Sequence, residues 1–185
     1  DRLMNIATAA ALISFSLLAF PQARADGPAV LLDATGFNTV LARADERLYI
    51  SGQPTPEGFA RLRKEGVTTV INLRTEPEMS ALPFDEAATL ADLSMDYVHL
   101  PSGGPDTPYA PATLERFADV LATAEGKVLL HCTVAWRASH LYAAYLYRHR
   151  GLSLEDAIAR ANGINFGGLP IEGFLGESLE VRAAQ

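Results

Sequence analysis

Val67-Thr68-Thr69-Val70-Ile71-Asn72-Leu73 is a run of β-branched and aliphatic residues bounded by Gly66 and Arg74. A run this apolar has no polar face to offer water, so it belongs in a sheet covered on both sides. Arg47–Ile50, Tyr97–Leu100 and Lys127–Cys132 share that character. Between them lie helical patterns. Thr55-Pro56-Glu57 reads as an N-cap, a proline at the first helical position and an early acid, with Phe59 and Leu62 on the buried side and Gly66 as the stop. A polar stretch from Arg74 to Pro83 leads to a short helix over Asp85–Leu93. Leu114, Phe117, Ala118, Leu121 and Ala122 mark one face of another, ended by Gly126. From Ser139 a helix apolar on nearly every side runs through Tyr147, which makes it central. Ser153 and Asp156 cap a further helix ending at Gly163, and the tail from Asn165 holds one more after a glycine-rich turn. The alternation predicts an α/β fold: a mostly parallel four- to five-stranded sheet flanked by helices, with its ligand site at the carboxyl ends of the strands.

The chain has 185 residues, enough for one domain. With 15 basic against 22 acidic residues its net charge is -7, which argues against nucleic acid as a partner. One cysteine excludes internal disulfides and multi-thiolate zinc sites. No glycine-rich nucleotide motif, metal cluster or basic patch stands out, so neither cofactor nor metal is expected. Residues 1–25 read as a signal peptide: Arg2, an uncharged stretch from Ile6 to Phe20, Pro21, then Ala23-Arg24-Ala25 as a small-x-small cleavage site. An uncleaved anchor is the alternative, but the stretch is shorter than the ~20 apolar residues a span needs. Cleavage predicts a periplasmic or secreted domain over residues 26–185, without stable membrane insertion.

That lone thiol sits in a telling place. His131-Cys132-Thr133-Val134-Ala135-Trp136-Arg137-Ala138-Ser139 joins a buried strand to a helix. A helix N-terminus and a nearby guanidinium lower a thiol pKa, and the same amides and arginine cradle an anion. This arrangement suits attack on a phosphate ester, with Ser139 placed to hydrogen-bond the sulfur. A buried, inert cysteine with Arg137 as a cap is the plain structural alternative.

His131-Cys132 with Arg137 resembles the cysteine-dependent phosphatases related to tyrosine and dual-specificity phosphatases. Upstream, Leu48-Tyr49-Ile50-Ser51-Gly52-Gln53-Pro54-Thr55, then Gly66–Arg74 and Glu78, resemble the bacterial beta-lactamase-hydrolase-like phosphatase domains. The resemblance covers roughly residues 37–163 and implies a dual-specificity-phosphatase-like fold. It implies Cys132 as nucleophile, Arg137 as phosphate clamp, and the backbone of Thr133, Val134, Ala135, Trp136, Arg137 and Ala138 as the cradle. Two departures stand out. Four residues, Thr133 to Trp136, separate Cys132 from Arg137, where tyrosine phosphatases commonly place five and many rhodaneses four. Ala135 occupies a position where glycine or asparagine, which tolerate positive φ, would be expected.

A phosphatase of this kind needs an acid for the leaving oxygen. Asp106, in the Ser102–Pro108 turn after the Tyr97 strand, is the candidate, with an Asx turn as its alternative; Asp85 and Asp96 are weaker. His131 suits an orienting role better than metal ligation, because His99, His140 and His149 show no ligand spacing. Trp136 fits an aromatic wall or core packing, and Gln53 and Arg74 the site rim or the surface. Three readings follow: an exported phosphatase acting on a phosphorylated protein, lipid or small molecule; a sulfurtransferase carrying a Cys132 persulfide; and a non-catalytic anion-binding relative.

Overall fold

Val128, Leu129 and Leu130 are wholly buried. They belong to strand β6 (Lys127–His131), which has parallel neighbours on both edges, β3 (Leu48–Ser51) and β4 (Val67–Asn72). A computed structural model describes residues 27–168 and 170–179; the signal-peptide expectation for residues 1–25 lies outside them. The sheet order is β1-β2-β3-β6-β4-β5, with β1 (Val30–Leu32), β2 (Leu41–Arg43) and β5 (Asp96–His99).

Side chains alternate across this sheet as strand geometry requires. Leu48, Ile50, Ile71, Val128 and Leu130 face one core, shared with α4 (Pro111–Thr123), α5 (Trp136–Arg150), α6 (Leu154–Asn165) and α7 (Pro170–Leu175). Tyr49, Val70 and Leu129 face the other, with Phe59 and Leu62 of α1 (Pro56–Lys64) and Leu90 of α3 (Glu86–Asp92). The chain runs β3 to β4 to β5 and returns to place β6 in the gap. That return puts the end of β6 at a topological switch point, where α/β sheets open a crevice.

The expected α/β architecture is present, with instructive differences. Among the described residues the sheet has six strands rather than four or five, because β1 and β2 add an antiparallel edge. Each is three residues long, and β1 leaves Val30 and Leu31 exposed, so neither carries a readable periodicity. Within the polar stretch, Glu76–Ser80 forms helix α2, started by Thr75, whose amide and hydroxyl both donate to Glu78 Oε2 (2.8 and 2.9 Å). In α4 the buried face is Leu114, Phe117 and Val120, while Ala122 is exposed. That helix stops at Thr123, and Gly126 serves a different need: a Cβ there would lie 2.5 Å from Thr68 Oγ1. Helix α5 begins at Trp136 rather than Ser139, and α6 continues to Asn165.

Gly52, just past β3, bridges Val134 of the cysteine loop. A Cβ on Gly52 would lie 1.8 Å from Asn38 O and 2.9 Å from Thr133 O, both backbone atoms. Gly52→Ala should therefore destabilise the domain by about 1–3 kcal/mol or more, read from urea unfolding. An unchanged midpoint would mean the strand end and the loop are not packed as described.

Candidate active site

Residues 132–135 carry the chain from β6 into α5, and their carbonyls are all turned outward. Thr133 O accepts from Gln53 N (3.0 Å) and Asn38 Nδ2 (2.9 Å). Val134 O accepts from Asn165 Nδ2 (2.7 Å), and Ala135 O from both the amide and the hydroxyl of Ser139 (2.8 Å each). Cys132 O faces His131 Nδ1 at 3.3 Å. With the carbonyls so engaged, the amides of Thr133, Val134, Trp136, Arg137 and Ala138 donate no hydrogen bond among the described residues. Such a nest at a helix N-terminus is an anion site. The turn is made by Ala135 at φ 65, ψ -1. The position thus adopts the positive φ that its residue type disfavours, by about 1 kcal/mol, and its burial and the Ser139 bonds hold it there. Cys132 lies at the floor, 1% exposed.

Arg137, in the first turn of α5, reaches across this nest. Its Nη1 and Nη2 grip Glu78 of α2 in a two-pronged pair (2.8 Å to Oε2, 2.6 Å to Oε1), and Nη2 also meets Thr133 Oγ1 (3.1 Å). Nη1 further donates to Ser102 O (3.0 Å) and Leu73 O (3.3 Å). Burial works against its charge, but the Glu78 bonds and the Cys132 sulfur outweigh that and raise its pKa. For Glu78 burial alone would raise the pKa; the bonds from Arg137, Thr75 and Thr133 reverse this and hold the carboxylate well below its usual range.

Beneath the loop is a second polar layer. His131, fully buried, sets Nε2 2.9 Å from Glu86 Oε1. Glu86 also accepts from Gln53 Nε2 (2.7 Å) and Asn72 Nδ2 (3.1 Å), while Gln53 Oε1 accepts from Arg74 Nη1 (2.7 Å). Gln53 and Arg74 are thus buried site residues rather than surface ones. Next to this layer opens a cleft of about 490 Å³, walled by Phe37, Pro54, Leu82 and Phe84, with Asn38, Arg74 and Thr133 as polar lining.

The other sequence candidates fall as follows. Asp106 is exposed in the Ser102–Pro108 turn, which closes through Gly103 N to Thr107 O (2.7 Å). The root of that turn, Ser102 O, is the carbonyl that Arg137 holds. Ser139 donates its hydroxyl to Ala135 O, so here it fixes the loop turn instead of bonding the sulfur. The Trp136 indole N–H donates to Gly167 O and its ring meets His140 edge-on, which commits the side chain to the α6–α7 connection. Only its backbone amide remains for the cradle. Four residues whose site roles sequence reasoning did not assign, Asn72, Glu78, Glu86 and Tyr109, complete the site. Tyr109 has its pKa raised by burial, against the pull of Arg137 and with added push from Cys132 and Glu78. Glu78 and Asn72 stood in the upstream motif; nothing in the sequence marked Glu86 or Tyr109.

Because the folded pKa of Glu78 lies below the ordinary 4.5, its stabilisation is fully present above that value and is lost as pH falls through the folded one. Glu78→Gln should lower stability at pH 7 by about 2 kcal/mol and flatten the acid limb below about pH 4.5. Urea unfolding at pH 7 and pH 3 tests this; parallel acid limbs for both proteins would contradict it.

A model of the family described as DSP-PTPase phosphatase fused to NAD+ kinase matches residues 30–173. The beta-lactamase hydrolase-like protein of Agrobacterium fabrum (strain C58) is 33% identical over 127 residues, 68% of this chain and 28% of that protein. Its namesake in Xylella fastidiosa (strain Temecula1) is 37% identical over 101 residues, 54% of this chain and 23% of that protein. The chain thus spans about a quarter of the length of those relatives. A DUF442 protein of Shewanella putrefaciens CN-32, of 27% identity, superposes with a TM-score of 0.60 over 77% of this chain and 91% of that one. The resemblance drawn from the cysteine loop and the upstream motif is borne out, and extends past residues 37–163 at both ends. The chain belongs to the family described as DSP-PTPase phosphatase fused to NAD+ kinase.

Proposed function

We propose that this chain is an exported cysteine-dependent phosphatase that hydrolyses phosphomonoesters through a phosphocysteine intermediate. The observation that carries the reading is the buried Cys132 beneath a nest of unengaged amides closed by Arg137. The Cys132 thiolate attacks phosphorus, forming the S–P bond as the ester P–O bond breaks. The loop amides and the Arg137 guanidinium hold the equatorial oxygens, whose charge grows in the transition state. Asp106 protonates the leaving oxygen, then as carboxylate takes a proton from the water that cleaves the S–P bond. The Arg137–Ser102 contact supports Asp106 for this task, because it ties the root of the acid's turn to the phosphate clamp. The substrate is a phosphorylated protein, lipid headgroup or small molecule, with tyrosine and dual-specificity phosphatases as the model for its chemistry.

Export rests on residues 1–25 and predicts a periplasmic or secreted protein. Among the described residues no helix is long and apolar enough to cross a membrane.

Hydrolysis of p-nitrophenyl phosphate and thiosulfate-to-cyanide sulfur transfer, measured side by side on the reduced domain, test the reading. Cys132→Ser should abolish hydrolysis yet keep phosphate and vanadate binding. Sulfur transfer without hydrolysis would replace the proposal with a persulfide carrier, and binding without either would make the domain an anion receptor.

Asp106→Asn should slow alkyl phosphates by about 10²–10⁴-fold and activated aryl phosphates far less. An equal loss on both would remove Asp106 from the acid's role.

A further inference from the structure

We propose that Glu86 is a positioning residue that keeps His131 doubly protonated, and so holds a positive charge against the Cys132 thiolate. The inference rests on Cys132 being the nucleophile, and the argument is one of donors and acceptors. His131 Nδ1 faces a backbone carbonyl, Cys132 O at 3.3 Å, and Nε2 faces Glu86 Oε1 at 2.9 Å. A neutral imidazole has one N–H and leaves one of these contacts lone pair against lone pair, unless Glu86 itself carries a proton.

The surrounding amides stabilise the ionised form of Glu86. Gln53 Oε1 accepts from Arg74 Nη1 (2.7 Å), which can only donate, so Gln53 Nε2 must point at Glu86 Oε2 (2.7 Å). Asn72 Oδ1 accepts from the Arg74 amide (2.8 Å), so Asn72 Nδ2 is the atom turned to Glu86 Oε1 (3.1 Å), sharing its two hydrogens between Glu86, Met79 Sδ (3.0 Å) and the Tyr97 hydroxyl (3.1 Å). Each carboxylate oxygen therefore faces an amide nitrogen whose orientation is fixed elsewhere. Both Glu86 oxygens face amide N–H groups, which stabilises the carboxylate, and the carboxylate draws the shared proton onto His131 Nε2. Burial alone would raise the Glu86 pKa; the His131 charge and bond, Gln53 and Arg74 bring it down.

The other groups facing this pair complete the charge pattern. From α1 the Phe59 ring lies edge-on to His131 at 6.0 Å and keeps water away. From β5 the Tyr97 hydroxyl takes a bond from Asn72 Nδ2 (3.1 Å); burial and Glu86 push its pKa up to about 12, so it stays neutral. On the Cys132 side, Arg137 and its ion-pair partner Glu78 close the loop through Thr133. The cations are thus His131, Arg74 and Arg137, and the carboxylates Glu78 and Glu86. A thiol leaves this buried cluster one positive charge in excess, and a thiolate makes it neutral.

Ring ¹⁵N spectra of the wild-type protein at neutral pH should show both His131 nitrogens protonated; one bare ring nitrogen would overturn the proposal without any variant. Cys132 is the sole cysteine, so thiolate ultraviolet absorbance with Cys132→Ser as the blank reads its titration directly. Glu86→Gln should raise the apparent thiolate pKa by about one unit, tenfold in ionisation ratio, with Glu86→Asp falling between it and wild type. The shift should vanish in a His131→Asn background. An unchanged or lowered thiolate pKa in folded Glu86→Gln, or a shift that persists without His131, would overturn the role. If that variant does not fold, the wild-type spectra decide. Neither readout requires turnover, so failure of the phosphatase reading would appear separately, as a normal titration without hydrolysis.

Discussion

The carbonyls of Cys132, Thr133, Val134 and Ala135 are each addressed from outside the loop, and the rest of the site depends on that constraint. A peptide unit with its oxygen fixed outward presents its N–H inward, so an anion cradle is built by pulling on the opposite side of the backbone. The pull comes from Gln53 after β3, Asn38 after β1, Asn165 at the end of α6 and Ser139 in α5. Parts of the chain remote in sequence therefore shape a loop of a few residues. The absence of a side chain at Gly52 lets the strand end come close enough for one of these contacts.

The acidic residues answer the opposite problem. A pocket tuned for anions concentrates positive charge away from water, and buried cations without partners are unfavourable. Glu78 and Glu86 sit on different helices, α2 and α3, and neutralise from two directions. Glu78 holds the arginine that approaches from above, and Glu86 the histidine below. Glu78 also bonds Thr133, so the ion pair is part of the loop's own framework rather than an addition to it.

Much of this architecture was legible in the sequence because it follows from local rules. The apolar runs marked β3–β6, Thr55 and Ser153 cap their helices by accepting from Gly58 and Asp156 amides, and the strand–cysteine–arginine–helix order located the cradle. What escaped is non-local. Glu86 lies 45 residues from His131 and Glu78 59 residues from Arg137, distances that only strand order brings to contact range. Neither carboxylate differs locally from an ordinary helix-starting acid. Tyr109 was equally silent, since its position follows from the path of the chain into α4. The start of α5 was placed late because Trp136 and Arg137 carry no capping signal; an alanine in the left-handed region does that work.

One feature gives the site an optical property. The chain has a single tryptophan, and that residue is the first of α5, adjacent to Arg137, with its indole N–H on Gly167 O and its edge against His140. All tryptophan emission from the protein therefore originates at the junction of cradle and helix. Any rearrangement of the loop that disturbs the Gly167 contact changes the polarity around the fluorophore. The domain carries its own unlabelled reporter, positioned to register events at the loop and silent to motions at the far edge of the sheet.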